Sequence, residues 1–414
     1  MDNITHSVIG LGVGELLQRS LPPESAPEQH ATRRRMLLFS CWAASNFPDL
    51  DLFLVNLLPS PLGYLLQHRG HSHTVLFAIP QALLLCALIW LCWPAARRLL
   101  RHSAVARAAL PFSVGLGLAL HLSLDYLNSY GLHPFYPFDA RWWYGDMTFI
   151  VEPLFWVALG APMAMTARRR LPRALLLAAL AVPLLVFAIK AYLGWGSFAL
   201  LLLTGAGLAA LQWRAGPGGR RALLAGLALC CAFVALQGVL SALGKQQIRA
   251  ALHAADPATR VLDVVMTAFP SQPLCWSFVT VESNEAAGTY HLRRGLASVA
   301  PDWLAPAACP TGLGGAAGSV LGPGLLQQSE HGASLALLRR LQSEDCRVDA
   351  WLRFARAPLV GTTAASDLRF APGPGGNFSA MSIGPARPCA IAGGAGAVPG
   401  WAYPRADLLE RAVP

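Results

Sequence analysis

The sequence predicts an all-α polytopic membrane protein of about seven or eight membrane helices, followed by a C-terminal extracytoplasmic domain that is α+β or β-rich. Three observations carry this reading. Hydrophobic residues make up 54% of the 414 and charged residues only 13%, with a mean hydropathy of +0.44. An average soluble domain carries roughly 25% charged residues. Apolar runs of spanning length recur through the first 243 residues. Beyond about residue 245, turn formers and short strand-like runs take over.

Taken in order, the chain opens on "MDNITHSVIGLGVGELLQ", a short helix. It lacks the basic start of a secretory signal and carries His6 and Glu15, so it is expected to stay on the protein. Apolar segments follow at about 36–58, 74–93, 105–127, 148–166, 173–193, 196–213 and 222–243. Basic connectors at 33–35, 97–107, 168–173 and 214–221 alternate with connectors that hold only Arg69 and Arg141. That alternation is the positive-inside pattern, so the basic loops are expected in the cytoplasm and 59–73 and 128–147 outside. The same pattern explains the net charge of +10 better than a nucleic-acid footprint does, and no nucleic-acid partner is expected. Membrane lipids are the expected surroundings.

The last span then leaves 245–414 outside the cytoplasm. Within it "RVLDVVM" and "WSFVTV" read as strands and "SLALLRRLQSE" as a helix. Residues 371–400, rich in Gly, Ala and Pro, read as loop or partly disordered. Five of the nine cysteines lie in apolar spans, where a thiol is a small hydrophobe. Cys275, Cys309, Cys346 and Cys389 lie in the tail, an even number compatible with two disulfides of unreadable pairing.

Ionisable groups inside membrane spans are costly and mark functional sites. In "SNFPDLDLF", Asp49 and Asp51 flank a position just after Pro48, which breaks a helix and frees backbone groups. "HRGHSHT" places His68, Arg69, His71 and His73 in the next outer loop. In "HLSLDYLNSYG", His121 and Asp125 stand four apart on one helix face, with Asn128 three further on. Asp146 and Glu152 open the following span. On the arginine-based topology all of these, with His6, converge at one depth on the outer side. Imidazole nitrogens and carboxylate oxygens are the donor set of zinc, manganese or iron. A metal-activated water at such a site is hydrolase chemistry, and Arg69 suits a phosphate held by paired hydrogen bonds. Other readings stand beside these. Asp49 and Asp51 fit a polar cap, His121 with Asp125 a structural pair, and His71 a solvated loop residue. Glu152, before Pro153, fits a helix cap as well as a ligand. The same residues also fit a transporter or proton relay, and the whole chain a non-catalytic scaffold or regulator.

The motifs "MDNITH", "SNFPDLD", "HRGHSHT", "HLSLDYLNSYG" and "GDMTFIVEPLFW" occur in that order over residues 1–165. In this they resemble the membrane-bound metal-dependent hydrolases of the YdjM/YbcI type, and the length resembles the longer YfhP-like members. The resemblance implies a bacterial inner-membrane, multi-pass protein whose core (1–165) hydrolyses a phosphoester or lipid-linked substrate. Residues 166–244 would then be additional membrane helices and 245–414 a soluble domain outside. It implies two or more divalent ions, zinc first with manganese or iron as alternatives. Carried over by motif, His6, Asp49, Asp51, His68, His73, His121 and Asp125 are the implied ligands. Arg69, Asn128 and Asp146 are implied to surround them in the catalytic site. Two departures stand out: Ser72-His73-Thr74 where Thr-His-Ser is usual, and Glu152-Pro153 where Asp-Pro is usual.

Overall fold

A computed structural model of the chain describes residues 1–315, 317–370, 377–385 and 398–410. Helix α1 (Asn3–Ser20) begins at Asp2, whose side chain accepts from the amides of Ile4 and Thr5. α2 (Pro27–Ala44) packs along it. The chain then turns at Ser45 and Asn46 into a 3-10 stretch, Phe47–Leu57. The single span expected over 36–58 is therefore two pieces. Pro48 offers no amide hydrogen and its ring crowds the preceding turn, which favours the break there, although α4, α6 and α8 each run on through a proline.

A short helix α3 (Leu62–Gln67) and a single 3-10 turn (His71–His73) lead into α4 (Val75–Cys92). α5 (Pro94–His102) is amphipathic and connects to α6 (Ala104–Tyr126). After a long loop come α7 (Pro153–Ala164), α8 (Arg170–Ile189), α9 (Trp195–Ala215) and α10 (Arg221–Ala255). Among the described residues five helices are long and apolar enough to cross a membrane: α4, α6, α8, α9 and α10. Seven or eight were expected. The 12 residues of α7 rise only about 18 Å, short of a hydrocarbon core of about 30 Å. Instead α7 is buried between α1, α8, α9 and α10.

Close approach of α6 to α2 depends on Gly117. A Cβ there would lie 2.6 Å from the Cys41 carbonyl oxygen and 2.7 Å from the Ala44 Cβ. Backbone cannot yield cheaply, so any side chain at 117 would push His121, one turn on, away from the bend after Ala44.

α10 has 35 residues, about 52 Å, and runs out of the span directly into the C-terminal domain, where it packs on the first strand. That domain holds a five-stranded antiparallel sheet ordered β1-β2-β3-β5-β4. Its strands are β1 (Arg260–Phe269), β2 (Gln272–Asn284), β3 (Thr289–Ser298), β4 (Ser319–Gly322) and β5 (Leu325–Ser334). The runs read as strands fall in β1 and β2. Helix α11 (Leu335–Glu344) begins at Ser334, whose hydroxyl accepts from the Leu337 amide. α12 (Cys346–Leu352) and a small sheet of β6 (Pro358–Val360), β7 (Ala364–Asp367) and β8 (Met381–Ser382) follow.

The domain does not stand clear of the helices. One apolar core joins Leu62, Leu65, Leu66, Tyr130 and Trp142 of the N-terminal part to Trp351, Phe354 and Trp401 of the tail. The Trp401 indole donates to the Leu66 carbonyl at 3.0 Å and the Trp142 indole to that of Arg353 at 2.6 Å. A buried ionic strut runs through the same junction. Arg356 grips both Asp146 oxygens at 2.8 and 2.9 Å and reaches Asp263 at 2.7 Å. Lys245 adds a second cation on Asp146 at 2.7 Å. Burial alone would raise the Asp263 carboxyl, but Arg356 and Arg405 hold it well below the usual carboxylate range.

Cys275 and Cys309 are joined, closing 34 residues, and Cys346 is also disulfide-bonded. Cys389 lies outside the described residues, as does most of the 371–400 stretch. The five cysteines of the apolar helices are free. Opening the Cys275–Cys309 bridge restores chain entropy to the unfolded tail. Cys309→Ser should cost about 3–4 kcal/mol by loop length, read as a lower thermal midpoint of the C-terminal domain without reductant.

Candidate metal centre

Asp49 and Asp51 come from the 3-10 stretch, His68 and His73 from the turn before α4, and His121 and Asp125 from one face of α6. The structure brings them together as two overlapping groups. Asp49, His73, His121 and Asp125 each offer a donor atom, all within 4.8 Å of one another and all buried. Asp49, Asp51 and His68 also offer donor atoms within 4.8 Å of one another, with His68 partly exposed. Asp49 belongs to both.

Hydrogen bonds orient the rings. His121 Nδ1 lies 2.8 Å from the Ser45 carbonyl oxygen, so that nitrogen carries the proton and Nε2 faces inward as a lone pair. It looks at His73 Nε2 across 2.9 Å, with Asp49 Oδ1 at 3.6 Å and Asp125 Oδ2 at 3.5 Å. His73 Nε2 is itself 3.4 Å from Asp49 Oδ1 and 3.3 Å from Asp125 Oδ2. Two imidazole nitrogens and two carboxylate oxygens turned on one point repel each other unless a proton or a cation lies among them. Asp125 Oδ2 is buried and accepts no hydrogen bond among the described residues. These donors fit a divalent ion.

Asp51 is held by four groups: the Arg69 amide at 2.9 Å, the Ser72 hydroxyl at 2.8 Å, His68 Nδ1 at 3.0 Å and His73 Nδ1 at 3.1 Å. The Ser72 contact had no signal beyond its place next to His73, and the Ser45 carbonyl none beyond its place at the start of the motif that carries Asp49. Arg69 adopts a left-handed backbone, φ +58, which turns its amide onto Asp51. A non-glycine residue held there is strained, and such strain collects at functional sites. Its guanidinium, 2% exposed, meets Asp125 Oδ1 at 3.0 Å and Asn128 Oδ1 at 3.1 Å, and lies over the Tyr130 ring.

The remaining predicted residues fall at the edge or elsewhere. His6 stacks on His121 with centroids 4.1 Å apart and reaches Asp125 Oδ1 at 3.3 Å, outside the compact four-donor group. The Met1 amino group also meets Asp125 Oδ1. His71 lies against Trp401 and Tyr136, away from the donors. Asp146, expected beside the metal, is instead occupied by Arg356 and Lys245, because the tail brings two cations to it that the N-terminal motifs do not contain. Glu152 caps α7 by accepting from the Leu154 amide and holds the Ser271 amide at 3.1 Å.

The charge state of the donors sets a pH dependence. Burial would lower the His73 imidazole, but the carboxylates of Asp125, Asp49 and Asp51 around it outweigh that and hold it up at about 10. For Asp49, burial opposes ionisation, yet His73 and His121 bring its carboxyl down to about 2. A cation entering the four-donor group must therefore displace the His73 proton throughout the neutral range. Apparent metal affinity should fall about tenfold for each pH unit lowered between about pH 8 and about pH 6, with about one proton released per ion. Competition with a chromophoric chelator at several pH values measures that slope.

Residues 1–195 match the family model described as YdjM inner membrane protein. Uncharacterized protein YfhP of Bacillus subtilis (strain 168) is 28% identical over 143 residues, 34% of this chain and 39% of that relative. Most of the relative's length is thus outside the match. No solved structure matches the chain. Every donor of the two groups lies inside the matched residues. Through residues 1–195, a little under half of its length, the chain is similar to the YdjM inner membrane protein family.

Proposed function

We propose that this protein is a membrane-bound, metal-dependent hydrolase that acts on a phosphoester, with two divalent ions, zinc first, that the two groups sharing Asp49 would hold. The observation that carries the reading is the sharing of Asp49 between two Asp/His groups, one fully buried and one with His68 at its partly exposed edge. Divalent ions bound there supply Lewis acidity toward water and a phosphoryl oxygen. The chain's own residues do the rest. His73, His121 and Asp125 would hold one ion and Asp51 with His68 the other. Arg69 keeps Nε free of any partner among the described residues, and Asn128 keeps Nδ2 free, both buried beside Asp125. These are donors placed to take the charge that develops on phosphoryl oxygens. His6 and Ser72 position Asp125 and Asp51.

The site is proposed to face outward from an inner membrane, with the tail outside the cytoplasm. The Cys275–Cys309 bridge supports that side, because disulfides persist in oxidising compartments. Metal analysis of purified protein followed by a screen of phosphodiester and phosphomonoester substrates tests the activity. About two ions per chain and metal-dependent turnover are expected. Protein free of metal that instead carries protons across liposomes would replace this reading with a proton relay. A reporter fused after Leu243 that is active in the cytoplasm would reverse the orientation.

A further inference from the structure

A cavity of about 440 Å³ lies where the N-terminal loops meet the C-terminal sheet. Asn128 and Tyr130 line it from the membrane side, and Thr267, Ser277 and Arg294 from strands β1, β2 and β3. Through Asn128 it adjoins the metal centre, since the Asn128 side chain is bonded to Arg69, which is bonded to Asp125. Three features of its wall ask for a ligand. Asn128 Nδ2 and the Tyr130 hydroxyl are buried donors with no partner among the described residues, in side chains 2% and 4% exposed. Thr267 and Ser277, paired across β1 and β2, add hydroxyls.

Arg294 is the third. Its neighbour Arg293 pairs with Glu282 and Glu330. Arg294 instead donates to the Leu313 carbonyl at 2.8 Å, and no carboxylate pairs with it among the described residues. Arg294 is half-buried, and a guanidinium partly withdrawn from water without a counter-ion favours an anion joining it. Burial without a compensating partner pulls its pKa below the usual arginine value, consistent with that isolation.

We propose that this cavity is the substrate pocket of the metal centre, and that Arg294 binds the anionic, hydroxyl-bearing phosphate ester that occupies it. The C-terminal domain then selects the substrate that the N-terminal motifs process. Phe149, Ile150 and Leu313 supply an apolar stretch of wall beside the polar one. A glycerophosphate-type headgroup matches this lining, whether it arrives on a membrane lipid or as a soluble ester. The inference rests on the hydrolase reading for the word substrate, but the pocket can be tested without turnover.

Binding is measured on the full chain in detergent or nanodiscs, with chelator present so that the metal centre does not contribute. The soluble arm uses glycerol 1-phosphate by calorimetry. The lipid arm uses vesicles of phosphatidylglycerol against vesicles of phosphatidylcholine. Wild-type protein should bind at least one of the two anionic probes, and which one identifies the source. Arg294→Gln should weaken that binding by about tenfold or more, the worth of a hydrogen bond to a charged group, and Arg294→Lys should restore part of it. Ser277→Phe, which fills the cavity from the neighbouring strand, should give the same loss. Metal content and thermal midpoint must stay at wild-type values in all three. No binding of either probe by wild-type protein, or binding indifferent to Arg294→Gln, overturns the pocket. A protein that binds the probes yet holds no metal overturns the hydrolase reading and leaves the pocket standing.

Discussion

Asp49→Ala should empty the whole centre, whereas His68→Ala should empty half of it. Asp49 contributes to both donor groups, and His68 only to the one it forms with Asp49 and Asp51. Purified wild-type protein should carry about two ions per chain, His68→Ala about one, and Asp49→Ala close to none, because removing a ligand from a small closed set costs orders of magnitude in affinity. Phosphoesterase turnover should fall with the first ion lost if both act together. Elemental analysis of the three proteins, prepared side by side, gives the answer. Equal metal content in His68→Ala and wild type would reduce the centre to a single position at Asp49, His73, His121 and Asp125.

Arg356→Ala should destabilise the protein by about 3–5 kcal/mol while leaving its metal content alone. Arg356 is 5% exposed and neutralises Asp146 and Asp263 together. Removing it leaves Asp146 with Lys245 only, and leaves Asp263, in the sheet, with the longer Arg405 contact at 3.4 Å. Breaking a buried ion pair from one side is costly because the remaining charge has lost both water and partner. Arg356→Met combined with Asp146→Leu should recover part of the loss, since that pair is removed from both sides. Thermal unfolding in detergent measures the cost, and limited proteolysis shows whether the tail detaches first. A fall in bound metal in Arg356→Ala would tie Asp146 to the centre after all.

The contrast between those two experiments marks what could be read from the motifs. His73, His121, Asp125, Asp49 and Asp51 announced themselves, because imidazoles and carboxylates beside helix breaks and at helical spacing in an apolar chain have few other uses. Their pairing into two groups about Asp49 did not, since it depends on where the 3-10 stretch after Ala44 sets its carboxylates against α6. Asp146 misled for a related reason. Its sequence neighbours place it beside the motifs, but its partners are Lys245 and Arg356, distant in the chain. The segments 36–58 and 148–166 are not among the five helices long and apolar enough to cross, because hydropathy alone does not register that α2 ends before Pro48 and that α7 has only 12 residues.

By itself the sequence determined that the first 244 residues would be largely helical and membrane-associated, that the tail would hold strands, and which side chains could serve as ligands. Those properties follow from local periodicity, apolar run length and side-chain chemistry, all of which are written in neighbouring positions. Only the tertiary structure decided that Arg294 of the tail lines one cavity with Asn128 of the N-terminal loops, and that Arg356 pairs with Asp146. Contacts between residues so far apart depend on how α10 and the shared Trp351–Trp401 core seat the sheet over those loops, and no local pattern encodes that docking.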